Sequence, residues 1–259
     1  MLFERHDRLE FARFASLAAQ SAIAHAVTLK PLNLAPHRGP GADAAVQNRR
    51  RLCAALELDF DKLTAASQIH GPDLLAVTAD DVGCGRDGRD SAVPYVDGLI
   101  TDRPGIPLLS LSADCPTLLA FDPARRAIGV AHARWRGTLG GMGTNLIQQM
   151  NRCFDCRPAD ILVGIGPSAG PCCYEVRNDV RRVAATKLRD VDRLIPLRDG
   201  RFYFDLWKTL EEQLVEAGVR PDHVEQSRIC TICDARFYSH RRDGANTGRF
   251  GIICSLREN

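Results

Sequence analysis

Residues 117–131 read TLLAFDPARRAIGVA, two apolar runs joined by a polar turn at residues 122–125. Short apolar runs on either side of a proline-containing turn are typical of a β-hairpin. Cys115 lies just before the first run, and His132 follows the second. Because a hairpin brings the start of its first strand beside the end of its second, the sequence predicts that Cys115 and His132 lie close together.

Working outward from the hairpin, strands and helices alternate along the chain. The predicted strands are residues 74–77, 97–101, 107–112, 161–165, 202–204 and 250–256. The predicted helices are residues 44–58, residues 143–154, a segment carrying Val176, Val180 and Val183, and a segment from the cap at Asp205 to Gly218. This alternation predicts an α/β or α+β fold with a mixed sheet. We expect a single domain over residues 1–259, since the 259 residues, 45% of them hydrophobic, can bury one large core.

Composition excludes several classes of protein. The net charge of +2 gives no field of the kind that binds nucleic acid. The apolar stretch at residues 12–35 is broken by His25, Lys30 and prolines, so it predicts no membrane span, and the charged start at residues 4–8 does not resemble a secretory leader. We therefore expect a cytoplasmic protein whose ten cysteines are thiols, metal ligands or nucleophiles rather than disulfides.

His70, Cys115 and His132 are candidate metal ligands. Two imidazoles and one thiolate can bind zinc and leave one position open, as catalytic zinc sites do. Polar residues flank all three, namely Gln68, Asp114, Arg134 and Arg136. Spacing alone fits buried core residues equally well, and a third interpretation makes Cys115 a nucleophile with His132 as its base.

Two CxxC pairs are also present, Cys153 with Cys156 and Cys230 with Cys233. They lie much farther apart than the roughly 15–20 residues of a zinc ribbon. We therefore expect no structural zinc site from these two pairs together, and we expect most other cysteines, such as Cys53 and Cys254, to be small core residues.

Several longer motifs, taken together, resemble the YfiH-like family, also called laccase-domain or polyphenol-oxidase-like proteins. The matching segments, in the family's order, are QIHG at 68–71, DGLIT at 97–101, ADCP at 113–116, HARWRG at 132–137, GPSAGPCCYEV at 166–176, FYSHRRD at 237–243 and TGR at 247–249.

The resemblance implies a YfiH-like fold related to the catalytic domain of the cytotoxic necrotizing factor toxins. It implies zinc held by His70, Cys115 and His132. It also implies purine nucleoside phosphorylase activity on adenosine, inosine and methylthioadenosine, with adenosine deaminase activity at the same site. The older laccase label implies copper, which is the alternative metal. A blue-copper site usually adds an axial ligand such as methionine, and none of the three methionines adjoins the three ligand positions, so we expect no laccase activity.

In this interpretation Asp114, Cys115 and His132 are catalytic, with Asp114 orienting a ligand or acting as acid or base. Gln68 is assigned to the substrate, and Arg136, Arg241 and Arg249 are assigned to its phosphate because guanidinium groups bind anions bidentately. The alternatives are a Cys-His amidase or deamidase, for example on a cell-wall precursor, and a non-enzymatic metal-binding protein. The chain departs from the family pattern at Arg134, where a glycine is usual, and in its N-terminal segment, where Lys30 replaces a common arginine.

Overall fold

A computed structural model describes residues 1–6 and 9–258; Asp7 and Arg8 of the charged start, and Asn259, lie outside the described residues. The strands are β1 (Leu2–His6), β2 (Leu9–Arg13), β3 (Ile23–Thr28), β4 (Thr64–Ala65), β5 (Leu74–Ala76), β6 (Gly98–Thr101), β7 (Leu108–Ser112), β8 (Thr117–Asp122), β9 (Ala127–His132), β10 (Leu162–Ile165), β11 (Glu175–Val176), β12 (Leu197–Arg198), β13 (Arg201–Tyr203), β14 (Val224–Gln226) and β15 (Phe250–Leu256). The helices are α1 (Ala15–Ala18), α2 (Ala45–Ala55), α3 (Trp135–Leu139), α4 (Met142–Phe154), α5 (Asn178–Ala185), α6 (Val191–Leu194), α7 (Leu206–Glu216) and α8 (His240–Asp243), and short 3₁₀ helices lie at Phe60–Lys62, Ala79–Asp81, Arg89–Ser91, Pro158–Asp160 and Pro221–His223.

Two six-stranded sheets pack face to face. The first has the order β1-β2-β3-β15-β7-β4 and the second the order β14-β10-β8-β9-β6-β5. Most neighbours are antiparallel, but β4–β7, β5–β6 and β10–β14 are parallel. Helix α2 packs on the outer face of the first sheet, and α4 and α7 pack on the outer face of the second. The predicted mixed α/β class is therefore confirmed.

Alternating side chains of the central strands fill the layers. In β8, Leu119 and Phe121 face the core between the sheets, whereas Leu118 and Ala120 face α4 and α7. In β15, Ile252 lies in the core between the sheets and its neighbour Ile253 in the layer beneath α2. Because both faces are buried, these strands are nearly continuous apolar runs instead of alternating patterns.

The predicted hairpin is confirmed as the antiparallel pair β8–β9. Its register places Thr117 opposite His132. Cys115 lies two residues before Thr117, so the hairpin carries Cys115 and His132 at the same end.

The helix predicted over residues 44–58 ends earlier, at Ala55, and the start of the helix predicted to carry Val176 was wrong. Val176 belongs to β11, where it pairs with Phe202 of β13, and the helix begins only at Asn178. The apolar spacing of Val176 and Val180 fits a helix, but backbone pairing with a strand distant in sequence overrides it. A small third sheet, β11-β13-β12, results.

Within the described part of the chain, none of the helices combines the length and the apolar character that crossing a lipid bilayer requires.

Candidate functional site

Most of the predicted site residues line one cleft of about 390 Å³. They are Gln68, His70, Asp114, Cys115, His132, Arg241 and Arg249. Arg136 lies outside this cleft, exposed, with its guanidinium 4.1 Å from the ring centre of Trp135. The cleft thus joins the hairpin end to segments that are far away in sequence.

Asp97 connects the two histidines and was not among the predicted site residues. Its carboxylate accepts hydrogen bonds from His70 N at 2.9 Å and Gly71 N at 2.8 Å, and it lies 3.0 Å from His132 Nδ1. Asp97 is only 1% exposed, and a buried carboxylate is stable only when it is fully hydrogen-bonded. The available signal was an aspartate at the start of a predicted strand, in the DGLIT segment at residues 97–101 that matches the family.

The loop carrying His70 packs tightly against α3. A Cβ atom on Gly137 would lie 2.7 Å from the carbonyl oxygen of Gly71, closer than non-bonded atoms tolerate. Glycine at residue 137 therefore lets the segment after His132 approach the His70 loop. The Asp97 carboxylate connects the same two regions, because it bonds the backbone of the loop and the ring of His132.

The contacts of the two histidines shift their pKa values in opposite directions. Burial opposes the charge on His132, but its contact with Cys115 and its hydrogen bond to Asp97 prevail and raise its pKa to about 9. For His70, packing against the cleft wall and the positive neighbours His132 and Arg134 lower the pKa to about 4. The pKa of Asp97 is lowered despite burial, because His132 and the backbone N–H groups bond its anion.

Arg134 contacts His70 directly. Its Nη1 lies 3.1 Å from His70 Nδ1, and because a guanidinium can only donate, Nδ1 is the acceptor and the ring proton is on Nε2. The residue that departs from the family pattern thus occupies the free nitrogen of one predicted metal ligand, so metal binding by His70 requires the Arg134 guanidinium to move aside.

Three cleft residues have left-handed backbones. The φ angles are 54° for Gln68, 74° for His70 and 93° for Asp114. Non-glycine residues adopt this region at a cost, and such strain concentrates at functional sites. Sequence patterns gave no sign of these conformations.

Gln68 and Asp114 are both held by the protein. The Gln68 amide donates to the carbonyl of Leu111 at 2.8 Å and accepts from its N–H at 2.9 Å, which pins the loop to β7. Asp114 accepts from Thr231 Oγ1 and from Arg241 N, each at 2.6 Å. These contacts give both side chains a positioning role.

The cleft is strongly cationic. It is lined by one carboxylate, Asp114, and six arginines, which are Arg38, Arg49, Arg89, Arg134, Arg241 and Arg249. Arg49 is buried and donates to the carbonyls of Leu34 and Gly85. Arg38 is exposed, and no hydrogen bond from its side chain to another described residue is present. The arrangement can attract an anion and still offer it free donors.

Within residues 1–6 and 9–258, the ligand atoms of one group of histidine, cysteine or carboxylate side chains lie within 4.8 Å of one another. This four-cysteine cluster consists of Cys172, Cys173, Cys230 and Cys233, and it could hold a metal ion. The pair Cys230–Cys233 therefore meets Cys172–Cys173, a partner that the sequence analysis did not consider.

The triad of His70, Cys115 and His132 is more widely spaced than this cluster, but its donor chemistry fits zinc. Imidazole nitrogen and thiolate sulfur are zinc ligands, and the two rings lie 5.5 Å apart between centroids. Asp97 on Nδ1 of His132 leaves Nε2 for a metal, and such carboxylates commonly orient metal-binding histidines.

Comparisons with known proteins agree with this architecture. Residues 20–257 match the family model described as "Multi-copper polyphenol oxidoreductase laccase". The chain is 38% identical to Purine nucleoside phosphorylase YlmD of Geobacillus stearothermophilus, over 88% of this chain and 84% of that protein. It is 29% identical to Purine nucleoside phosphorylase YfiH of Escherichia coli, over 89% of each chain. The crystal structure of YlmD from Geobacillus stearothermophilus superposes with a TM-score of 0.89, covering 99% of both chains at 34% identity.

Proposed function

The chain belongs to the multi-copper polyphenol oxidoreductase laccase family, which is the YfiH-like family, and we propose that its cleft binds a purine nucleoside and phosphate. The proposed reaction is phosphorolysis of adenosine, inosine or methylthioadenosine, which releases the purine base and a ribose 1-phosphate. Relatives named purine nucleoside phosphorylase support an enzymatic function of this kind.

The observation that carries the proposal is the charge of the cleft. Six arginines and one carboxylate surround the two histidines and Cys115. A dianionic co-substrate such as phosphate is attracted and oriented by guanidinium groups, whereas oxidation of a neutral phenol needs no such lining. Arg38, Arg241 and Arg249 are the residues that we assign to the phosphate.

We assign zinc to His70, Cys115 and His132. When bound there, zinc supplies Lewis acidity with one coordination position left open. Asp97 fixes the His132 ring through its Nδ1 and fixes the backbone at His70. Copper is the less favoured metal, because Met142 and Met150 of α4 are buried between that helix and the second sheet, and neither lines the cleft.

Residues of the chain bind and orient the two substrates. The arginines hold phosphate so that one oxygen attacks the anomeric carbon as the bond to the base breaks. Asp114 receives the Arg241 N–H and the Thr231 hydroxyl on its two oxygens, so we assign it to positioning Arg241. We also propose adenosine deaminase activity at this site, in which water replaces the amino group of the purine.

A second candidate rests on the chain Cys115–His132–Asp97. His132 contacts Cys115, is bonded to Asp97, and has a pKa raised to about 9. A thiol, an imidazole and an orienting carboxylate can also catalyse amide hydrolysis, with Cys115 as nucleophile and His132 as base.

The test is a panel of nucleosides incubated with metal-quantified protein, with and without phosphate, and analysed by mass spectrometry. Release of purine base together with ribose 1-phosphate, dependent on phosphate, is the expected result. The proposal would be overturned if no nucleoside of the panel released purine base or ammonia. Turnover of amides alone would favour the second candidate.

A further inference from the structure

The four-cysteine cluster joins two segments that are distant in the chain. Cys172 and Cys173 lie in the loop between β10 and β11, and Cys230 and Cys233 lie in the turn after β14. Ser168 N donates to Ile229 O at 3.1 Å and Thr231 N to Ser168 O at 3.0 Å. The two segments therefore run side by side, and this pairing brings the four thiols together.

The spacing of the sulfurs suits a single tetrahedral ion. Cys173 Sγ and Cys233 Sγ are 3.3 Å apart, and Cys172 Sγ and Cys233 Sγ are 3.8 Å apart. Zinc–sulfur bonds of about 2.3 Å in a tetrahedron place the sulfurs about 3.8 Å from one another. All four lie within 4.8 Å of each other, so a small contraction completes the set.

The backbone at residues 230–234 forms a tight turn. Cys233 N and Asp234 N both donate to the carbonyl of Cys230, at 3.1 and 2.9 Å, which places the two cysteines of the CxxC motif on one side of the turn. Gly170 N donates to Cys230 Sγ at 3.3 Å, and hydrogen bonds of this kind stabilise a thiolate.

Two arginines contact the segments that carry the cysteines, although Arg242 is also paired with Asp243. Arg242 Nη1 donates to the Thr231 carbonyl at 2.7 Å, and Arg198 donates to the Pro171 carbonyl. A zinc ion with four thiolates carries a net charge of about −2, which Arg198 partly offsets. Hydrophobic packing does not explain the cluster, because Cys172 and Cys233 are exposed and only Cys230 is buried.

From this geometry we propose that Cys172, Cys173, Cys230 and Cys233 bind a second, structural zinc ion that braces one wall of the cleft. Four protein ligands leave no open position, so the ion does no chemistry of its own. The ion would act on the cleft through residues adjacent to the cysteines in sequence. Thr231, between Cys230 and Cys233, bonds Asp114, and Tyr174, directly after Cys173, lines the cleft.

The experiment measures zinc per chain by plasma mass spectrometry in protein purified under reducing conditions, together with zinc X-ray absorption. His70→Ala, which removes a triad ligand, is expected to keep one zinc with four sulfur ligands at about 2.3 Å. The double variant Cys230→Ser/Cys233→Ser is expected to lose that all-sulfur signal. Cys153→Ser/Cys156→Ser, a matched CxxC pair elsewhere in the chain, is expected to lose nothing.

The outcomes separate this proposal from the proposed function. Two zinc ions in the wild type support the second site. One zinc with four sulfur ligands, unaffected by His70→Ala, also supports the second site, and this result counts only against the assignment of zinc to the triad. Zinc that disappears completely in His70→Ala, iron in place of zinc, or disulfides among the four cysteines after rapid alkylation would overturn the second site.

Discussion

The triad and the four-cysteine cluster differ in what they offer a metal ion. The triad has two imidazoles and one thiol on the wall of a cationic cleft. The four-cysteine cluster has four thiols within 4.8 Å of one another, in a loop and a turn that also carry Tyr174 and Thr231. One set leaves a coordination position for a substrate, and the other fills all four.

The difference also extends to the surroundings. The triad depends on a buried carboxylate, Asp97, and on strained backbone at His70. The four-cysteine cluster depends on ordinary turn hydrogen bonds, such as that from Asp234 N to the Cys230 carbonyl. Strain at ligand positions and buried charge thus accompany the site to which we assign chemistry, whereas none of the four cysteines of the other site has a left-handed backbone.

The largest expected effect comes from removing a triad ligand. Cys115→Ala or His132→Ala should lower kcat/KM for phosphorolysis by about a thousandfold, roughly 4 kcal/mol of transition-state stabilisation, because the metal and its open position are lost. Steady-state assays and zinc content measured on the same samples check this. Cys153→Ala, which changes an exposed thiol on α4 that belongs to neither site, is the control, and near-wild-type activity in both triad variants would refute the assignment.

Asp97→Asn should have the next largest effect. The amide can mimic the shape of Asp97 but not its charge, so the His132 ring loses its anionic partner, and zinc affinity at the triad should fall by about 10- to 100-fold. Competition with a chelator measures the zinc affinity of the triad. The control is Asp102→Asn, which changes an exposed carboxylate just after β6. An unchanged affinity would mean that Asp97 serves only to hold the loop.

Arg38→Ala tests the anion-binding part of the cleft. Because Arg38 is exposed there without a partner among the described side chains, the KM for phosphate should rise about tenfold with little change in kcat, as expected for loss of a charged hydrogen bond. Initial rates over a phosphate series check this against Arg103→Ala, an exposed arginine after β6. A change confined to the KM for nucleoside would reassign Arg38 to the other substrate.

Arg134→Gly should have the smallest effect, and in the opposite direction. Removing the guanidinium frees Nδ1 of His70 and takes a positive charge away from the ligands, so zinc at the triad should bind about two- to fivefold more tightly. The four-cysteine cluster is the internal control, since its affinity should not change. Weaker binding at the triad would instead make Arg134 a support for His70.

Local sequence was enough to predict the centre of the site. The apolar runs around the turn at residues 122–125 gave the hairpin, and the hairpin alone brings Cys115 to His132. His70 reaches them through a loop with left-handed backbone tied to Asp97, and short-range patterns do not encode such a tertiary contact.

The partners of Cys230 and Cys233 were missed for a similar reason. The CxxC spacing drew attention to Cys153 and Cys156, the only other pair with that spacing. Adjacent cysteines at 172 and 173 become partners because the segments at Ser168 and Cys230 form a parallel bridge. The order of strands in the sheets decides which loops lie next to each other. That order depends on pairing between strands that are distant in sequence.

The most direct test of the central claim is to titrate activity against zinc at the triad. Protein stripped by a chelator until only the all-sulfur zinc remains should be inactive in nucleoside phosphorolysis, and activity should return in proportion to one further zinc per chain. Full activity in the stripped protein, lost in Cys115→Ala, would contradict the account and make Cys115 a nucleophile.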